Sequence, residues 1–218
     1  MSQLRVLIAD DHEVFRKGLR TILEVRPEWH VCGEASTGRA AVDAAKELKP
    51  DVVIMDISMP ELNGIEATRQ ILKIAPKTEV LILSMHDSEE LVHEMVEVGV
   101  RGYVLKSDAG RVLISAIEAL GNHEPFFSSK VSDHILQGYR ETEKPPESGT
   151  SPHNRLSARE REIVQILAEG KTNKEVAAVL GISVRTIETH RANIMRKLNL
   201  NSLSELVRYA IRNKIIYP

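Results

Sequence analysis

One cysteine in 218 residues, Cys32 between Val31 and Gly33, rules out an internal disulfide and any thiolate metal cluster. Long apolar runs are missing as well. The longest are stretches such as Val80, Leu81, Ile82 and Leu83, far short of the roughly 18 residues that span a bilayer. The opening Met1 to Arg5 has neither the basic start nor the apolar stretch of a secretory signal, so a cytoplasmic protein is expected. Internal repeats and low-complexity tracts are also lacking. What is present is an ordinary composition, 42% hydrophobic and 28% charged, enough to give one large domain or two modest ones a proper core.

The net charge of −2 conceals an uneven distribution. From Ser151 onward there are 12 Lys and Arg against 6 Asp and Glu, a net of +6, while the preceding residues hold 17 against 25, a net of −8. An acidic part joined to a basic part implies a different partner for each.

The first 120 residues alternate short β-like runs with amphipathic helical stretches. Strands are expected over residues 4–9, 30–34, 52–55, 80–84 and 102–105. Their continuous Val, Ile and Leu content suits strands covered on both faces. Helices are expected over 13–25, 38–48, 64–74, 88–98 and 109–120. This alternation predicts an α/β fold, a doubly wound, five-stranded parallel sheet with helices on both faces. Ligands of such a sheet sit beyond the carboxyl ends of its strands. A short helix over 130–137 leads into residues 138–154, where Pro145, Pro146, Ser148, Gly149, Ser151 and Pro152 read as a linker. Beyond it the strand signal disappears, and four helices are expected over 158–169, 173–180, 184–198 and 204–213. The predicted organisation is a domain over 1–121, a connecting helix and linker over 122–153, and a small all-α domain over 154–218.

Three aspartates fall at predicted strand ends, Asp10 and Asp11 after the first and Asp56 after the third. Those ends share one edge of a parallel sheet, so the carboxylates converge. Clustered carboxylates need a cation, and hard oxygen donors favour Mg²⁺, with Mn²⁺ able to substitute. Lys106 ends the fifth strand and Ser84 the fourth, adding an ammonium and a hydroxyl. Such a set suits a phosphoryl group: the cations offset charge on its oxygens and a carboxylate acts as nucleophile. Singly, each residue reads as a turn former, a helix cap or a solvated charge, and Asp11 could cap the following helix. Their joint placement at successive strand ends carries the argument. Gly64 most simply permits a tight turn into its helix, and Tyr103 reads equally well as core packing.

The first 120 residues resemble the receiver domain of two-component response regulators, a flavodoxin-like fold. The resemblance lies in Ile8-Ala9-Asp10-Asp11-His12, in the run from Met55-Asp56 through Met59-Pro60 to Gly64, in Leu83-Ser84-Met85-His86 and in Gly102-Tyr103-Val104-Leu105-Lys106. It implies that Asp56 accepts a phosphoryl group from a sensor histidine kinase. By the same resemblance Asp10, Asp11, Asp56 and the backbone carbonyl of Ser58 bind Mg²⁺. Ser84, where threonine is commoner, and Lys106 hold the phosphoryl oxygens, and Tyr103 reorients as Ser84 moves inward. Ser58 and His86 flank the path of hydrolytic water.

In the second half Ser157 and Glu160 form a capping-box pair, and Gly170 stops the helix they begin. A short helix ends at Gly181, and Ser183 caps the next, which satisfies helix-turn-helix spacing. Periodicity places Ile187, Ile194 and Leu198 inward against Val176, Ala177, Leu180 and Ile182. The opposite face presents Arg185, Glu188, Thr189, Ala192 and Arg196, a mixture suited to a major groove. Thr172, Asn173 and Lys174 open the preceding helix, a position suited to phosphate contacts. Glu188 would favour a cytosine amino group.

Residues 156–200 resemble the LuxR-type helix-turn-helix of the NarL/FixJ response regulators, above all in Gly170-Lys171-Thr172-Asn173-Lys174-Glu175-Val176-Ala177 and Val184-Arg185-Thr186-Ile187-Glu188-Thr189-His190. The resemblance makes residues 184–197 the recognition helix, adds Val184, Thr186 and Arg191 to the contacts with double-stranded promoter DNA, and gives the last helix the homodimer contact. His190 has no ligand-spaced partner and reads as structural.

The expected function is phosphorylation-controlled dimerisation and sequence-specific DNA binding, with no membrane insertion. No enzyme activity is expected beyond Mg²⁺-dependent loss of the protein's own phosphoryl group. A phosphohydrolase on the same pocket would need a general acid or base, and none stands near the motifs. A protein-binding tail fits less well with a +6 net charge, and a regulator without phosphorylation control fits less well with an intact acidic set.

Overall fold

In the computed structural model, residues 3–141 and 156–217 are described. They fall into two compact units, one before and one after residue 147 apart from a short segment. Most of the linker expected over 138–154 lies outside the described residues.

The first unit runs β1 (Leu4–Ala9), α1 (Glu13–Leu23), β2 (Trp29–Ala35), α2 (Gly38–Leu48), β3 (Val52–Asp56), α3 (Gly64–Ile74), β4 (Glu79–Ser84), α4 (Glu89–Val98), β5 (Gly102–Leu105), α5 (Ala109–Gly121), β6 (Phe126–Phe127) and α6 (Ser129–Glu141). The sheet is parallel with strand order β2-β1-β3-β4-β5-β6. It therefore has six strands where five were expected. The added strand is two residues long, with Gly102 opposite Phe126 and Tyr103 opposite Phe127. Too short to show any periodicity, it leaves no strand signal. Helix α6 also continues to Glu141, into residues read as linker.

Strand period places Val6, Ile8, Val52, Ile54, Leu81, Leu83 and Val104 on one face, where they pack with Leu19 and Leu23 of α1 and with Leu113, Ala116, Ile117 and Leu120 of α5. The alternate residues Leu7, Val53, Met55, Val80, Ile82 and Tyr103 are buried too, as a sheet with helices on both sides requires. Cys32 is the extra residue in a bulge: Val6 pairs with Val31 and Leu7 with Gly33. Its thiol points to the carbonyl of Val6 at 3.4 Å, and burial pushes its pKa up.

The second unit is helical: α7 (Ala158–Ala168), α8 (Asn173–Leu180), α9 (Val184–Leu198) and α10 (Leu203–Arg212). Full capping boxes open α7, through Ser157 and Glu160, and α8, through Thr172 and Glu175. Ser183 and Ser202 cap α9 and α10. The α8–α9 turn needs Gly181, whose φ of 64° lies in the left-handed region. Ile187, Ile194 and Leu198 of α9 pack with Val176 and Ala177 of α8, Ile163 and Leu167 of α7, and Leu206 and Ala210 of α10. No helix among the described residues is long and apolar enough to cross a membrane.

Candidate functional site

The parallel sheet delivers the carboxyl ends of β1, β3, β4 and β5 to one edge, and five of the residues singled out in the sequence gather there. Asp10 and Asp56 are buried, with 2% and 3% of their surface exposed. Lys106 bridges them, its Nζ 2.7 Å from Asp10 Oδ2 and 2.8 Å from Asp56 Oδ2. The other Asp10 oxygen accepts the His12 amide at 2.8 Å. Asp11 does not cap α1. Its Oδ1 lies 2.7 Å from Nδ1 of His12, and His12 is itself the N-cap, with no side-chain cap bond. Oxygens of Asp10, Asp11 and Asp56 and a ring nitrogen of His12 lie within 4.8 Å of one another.

The electrostatics show an unbalanced site. Burial pushes the Asp56 carboxyl above its ordinary pKa; Lys106 and the Ser58 amide pull it down, and the nearby Asp10 adds to the rise. Burial also disfavours the Lys106 ammonium, yet its bonds to Asp10 and Asp56 hold its pKa above the ordinary lysine value. Lys106 thus does not fully offset the burial of the Asp56 carboxylate. A clustered set of hard oxygen donors in that condition fits a divalent cation. The Ser58 amide bond to Asp56 brings the Ser58 backbone to the cluster as well.

Ser84 ends β4, 1% exposed, and its Oγ accepts the His86 amide at 3.0 Å. Tyr103 is fully buried, and its hydroxyl donates to the His86 carbonyl at 2.7 Å. Burial drives that phenol's pKa far upward. The ring is thus already packed inward. Gly64 has no left-handed φ among the described residues. It is glycine because a Cβ there would meet the Asp56 carbonyl oxygen at 2.0 Å, so close approach, not turn geometry, sets the requirement.

Three contacts were not foreseen from the sequence. Arg16 donates to the Asp10 carbonyl at 2.6 Å and to Glu34 at 3.4 Å, bracing the β1 end against β2. His12 joins the acidic cluster, a place its position in Asp10-Asp11-His12 could have suggested. The ring of Phe15 lies 4.7 Å from the Lys106 ammonium; nothing in the sequence signals that contact. Beside Lys106 a cavity of about 640 Å³ is lined by residues of α1 and α5, including Val14, Phe15, Gly18 and Gly110, with Met85 at its rim. Val14 and Met85 are 86% and 72% exposed.

On α9, Val184, Arg185, Thr186, Glu188, Thr189, Ala192 and Arg196 form the exposed face, and Thr172 and Lys174 are exposed at the start of α8. Not all of these side chains are equally free. The Thr172 hydroxyl is held in its capping box by Glu175, Thr186 by Ser183 at 2.8 Å, and Thr189 donates to the Arg185 carbonyl at 3.0 Å. Arg191 and Asn173 are half-buried and bonded to each other at 3.3 Å, tying α9 to the start of α8. Arg196 donates to Asn193 at 2.8 Å.

Residues 6–118 match the response regulator receiver domain, and residues 154–210 match the bacterial regulatory proteins of the luxR family. The chain is 38% identical to the transcriptional regulatory protein LiaR of Bacillus subtilis, across 98% of this chain and 99% of that one. It is 37% identical to the oxygen regulatory protein NreC of Staphylococcus carnosus, with the same coverage, 98% and 99%. Among solved structures, the RcsB response regulator of Salmonella typhimurium aligns with a TM-score of 0.59 at 28% identity, covering 96% of this chain and 98% of that one. RcsB in a complex with DNA aligns with a TM-score of 0.58, also at 28% identity, covering 95% and 97%.

Proposed function

Because this chain belongs to the two-component response regulators with a LuxR-type DNA-binding domain, we propose that Asp56 is its phosphoacceptor and that phosphorylation there governs dimerisation and promoter binding. The observation that carries this reading is the bridge of Lys106 to both Asp10 and Asp56 at 2.7 and 2.8 Å. A carboxylate beside a buried ammonium is placed to attack phosphorus and to have the new charge offset at once.

Asp10, Asp11, Asp56 and the carbonyl of Ser58 would hold Mg²⁺, or Mn²⁺ in its place, which would supply positive charge to the phosphoryl oxygens. An Asp56 oxygen attacks phosphorus as the bond to the imidazole of a sensor histidine kinase breaks. Lys106 exchanges its Asp56 bond for a phosphoryl oxygen and keeps Asp10. Ser84 supplies a hydroxyl to another phosphoryl oxygen, and Tyr103 holds the loop after β4 through the His86 carbonyl. The domain would also catalyse slow hydrolysis of its own acyl phosphate. The apolar groove between α1 and α5, with the exposed Val14 and Met85 on its edge, supports docking of a kinase helix beside Asp56.

The exposed face of α9 and the start of α8 would meet double-stranded DNA, with Thr172, Asn173, Lys174, Val184, Arg185, Thr186, Glu188, Thr189, Arg191, Ala192 and Arg196 at the interface. RcsB has been solved as two dimers bound to two parallel DNAs. Here α10 presents Leu203 and Ile211, each 41% exposed, on one side of the helix, which supports a second copy packing there. The cytoplasm, where kinase and promoter meet, is the expected compartment. The proposed division into residues 1–121, 122–153 and 154–218 follows the same roles.

Intact mass after incubation with acetyl phosphate and Mg²⁺ tests the acceptor, comparing wild type with Asp56→Asn. One phosphoryl group on wild type alone is expected. Equal addition to both proteins would overturn the assignment of Asp56.

A further inference from the structure

The Lys106 ammonium is enclosed on more sides than its two carboxylates account for. The side chain is 8% exposed. Asp10 Oδ2 and Asp56 Oδ2 take two directions around Nζ, at 2.7 and 2.8 Å. A third is taken by the face of Phe15, 4.7 Å from Nζ to the ring centroid, well within reach of a cation–π attraction. Phe15 is fixed from behind: it lies in the first turn of α1, half-buried against the core that holds Leu19, Leu23 and Leu113.

We propose that Phe15 is a positioning residue for phosphoryl transfer, acting through Lys106. This rests on the reading of Asp56 as acceptor. Before transfer, two carboxylates compensate the ammonium. When Asp56 becomes an acyl phosphate, that oxygen is no longer a full anion, and Nζ must turn from it to the phosphoryl group. During the exchange Asp10 and the ring are its fixed partners. A ring face attracts a cation without demanding a particular N–H direction, so Nζ pivots without losing compensation. An aliphatic side chain of similar volume would fill the same space and offer none of this. The contact spans α1 and the end of β5, so it also fixes the aim of a flexible four-carbon chain that would otherwise have several rotamers.

The test uses the full-length protein as wild type, Phe15→Leu and Phe15→Tyr, with Phe15→Met as a second aliphatic variant should leucine unfold the chain. The ε-methylene resonance of Lys106 in ¹³C-lysine-labelled protein, assigned through Lys106→Arg, should be shifted upfield by the ring in wild type and Phe15→Tyr. In Phe15→Leu it should return towards the position of an ordinary lysine. The initial rate of phosphorylation by acetyl phosphate at fixed Mg²⁺ should fall about three- to tenfold in Phe15→Leu, the span of such an attraction. It should recover in Phe15→Tyr, with the half-saturating Mg²⁺ concentration the same in all three. A folded leucine variant phosphorylated at the wild-type rate would overturn the proposal, as would a folded tyrosine variant as slow as leucine. Absence of phosphoryl on wild type would instead remove the acceptor reading, and this inference with it.

Discussion

The amide of Ser128 donates to the carbonyl of Tyr103 at 3.0 Å, so the aromatic beside the acidic cluster is tied directly to the residue before α6. Tyr103 is held at both ends: its hydroxyl reaches the His86 carbonyl at 2.7 Å and its backbone carries β6. Movement of the loop after β4 therefore has a short route to α6, which also packs on α4.

Tyr103→Phe removes the hydroxyl's bond to the His86 carbonyl and its contact with Ser84, and keeps the ring. It should cost about 0.5–1.5 kcal/mol in urea unfolding. Phosphorylation should alter hydrogen-exchange protection of the Ser128 amide in wild type, and alter it less in this variant. Equal protection before and after phosphorylation would break the link.

Gly64→Ala forces a methyl group to within 2.0 Å of the Asp56 carbonyl oxygen. Backbone cannot yield there as a side-chain tip can. The variant should lose about 1–3 kcal/mol, with slower phosphorylation because the displaced carbonyl belongs to the proposed acceptor. Thermal unfolding and acetyl phosphate labelling check both effects.

Glu160 links pH to the stability of the second unit. Burial opposes its ionisation, but Lys197 at 2.8 Å and the Ser157 amide and hydroxyl outweigh that, so its pKa falls below the ordinary 4.5. A lowered folded pKa contributes stability fully present above pH 4.5 and lost as pH falls through the folded value. Glu160→Gln should therefore be less stable than wild type at pH 7, by about 0.5–1 kcal/mol at an exposed cap. The difference should shrink in acid, and urea titrations at pH 7 and pH 3 would show it. A constant difference would mean that the carboxylate charge is immaterial.

Arg185 is exposed near the start of α9. Arg185→Ala should weaken promoter binding. If the contact is to phosphate, the slope of log affinity against log salt should fall by about one and the loss should be uniform across sequences. Loss confined to one base position would instead mark a base contact. Titrations of labelled DNA at several salt concentrations separate the two.

Much of this was legible because the strands carry uninterrupted aliphatic runs. β1 and β5 and helices α2, α3, α8 and α9 have the bounds read from sequence, and Thr37, Thr172 and Ser183 cap three of those helices. Asp10, Asp56, Ser84 and Lys106 could be placed together from strand ends alone. β6 could not, because Phe126 and Phe127 are a strand only through pairing with Gly102 and Tyr103. Nor could Phe15: its pattern in α1 marks it as apolar, and its contact with Lys106 depends on how α1 crosses the end of β5. The glycine at 64 opens its helix as the sequence suggested, but its close approach to the Asp56 carbonyl leaves no trace in a local turn signature.

Lys106 gives the acidic cluster a resident counter-ion that belongs to the chain. The fold can therefore assemble around Asp10 and Asp56 before any metal arrives. On the proposed reading, divalent cation serves the message and not the messenger: depleting it should silence phosphotransfer while leaving the protein intact and ready to resume.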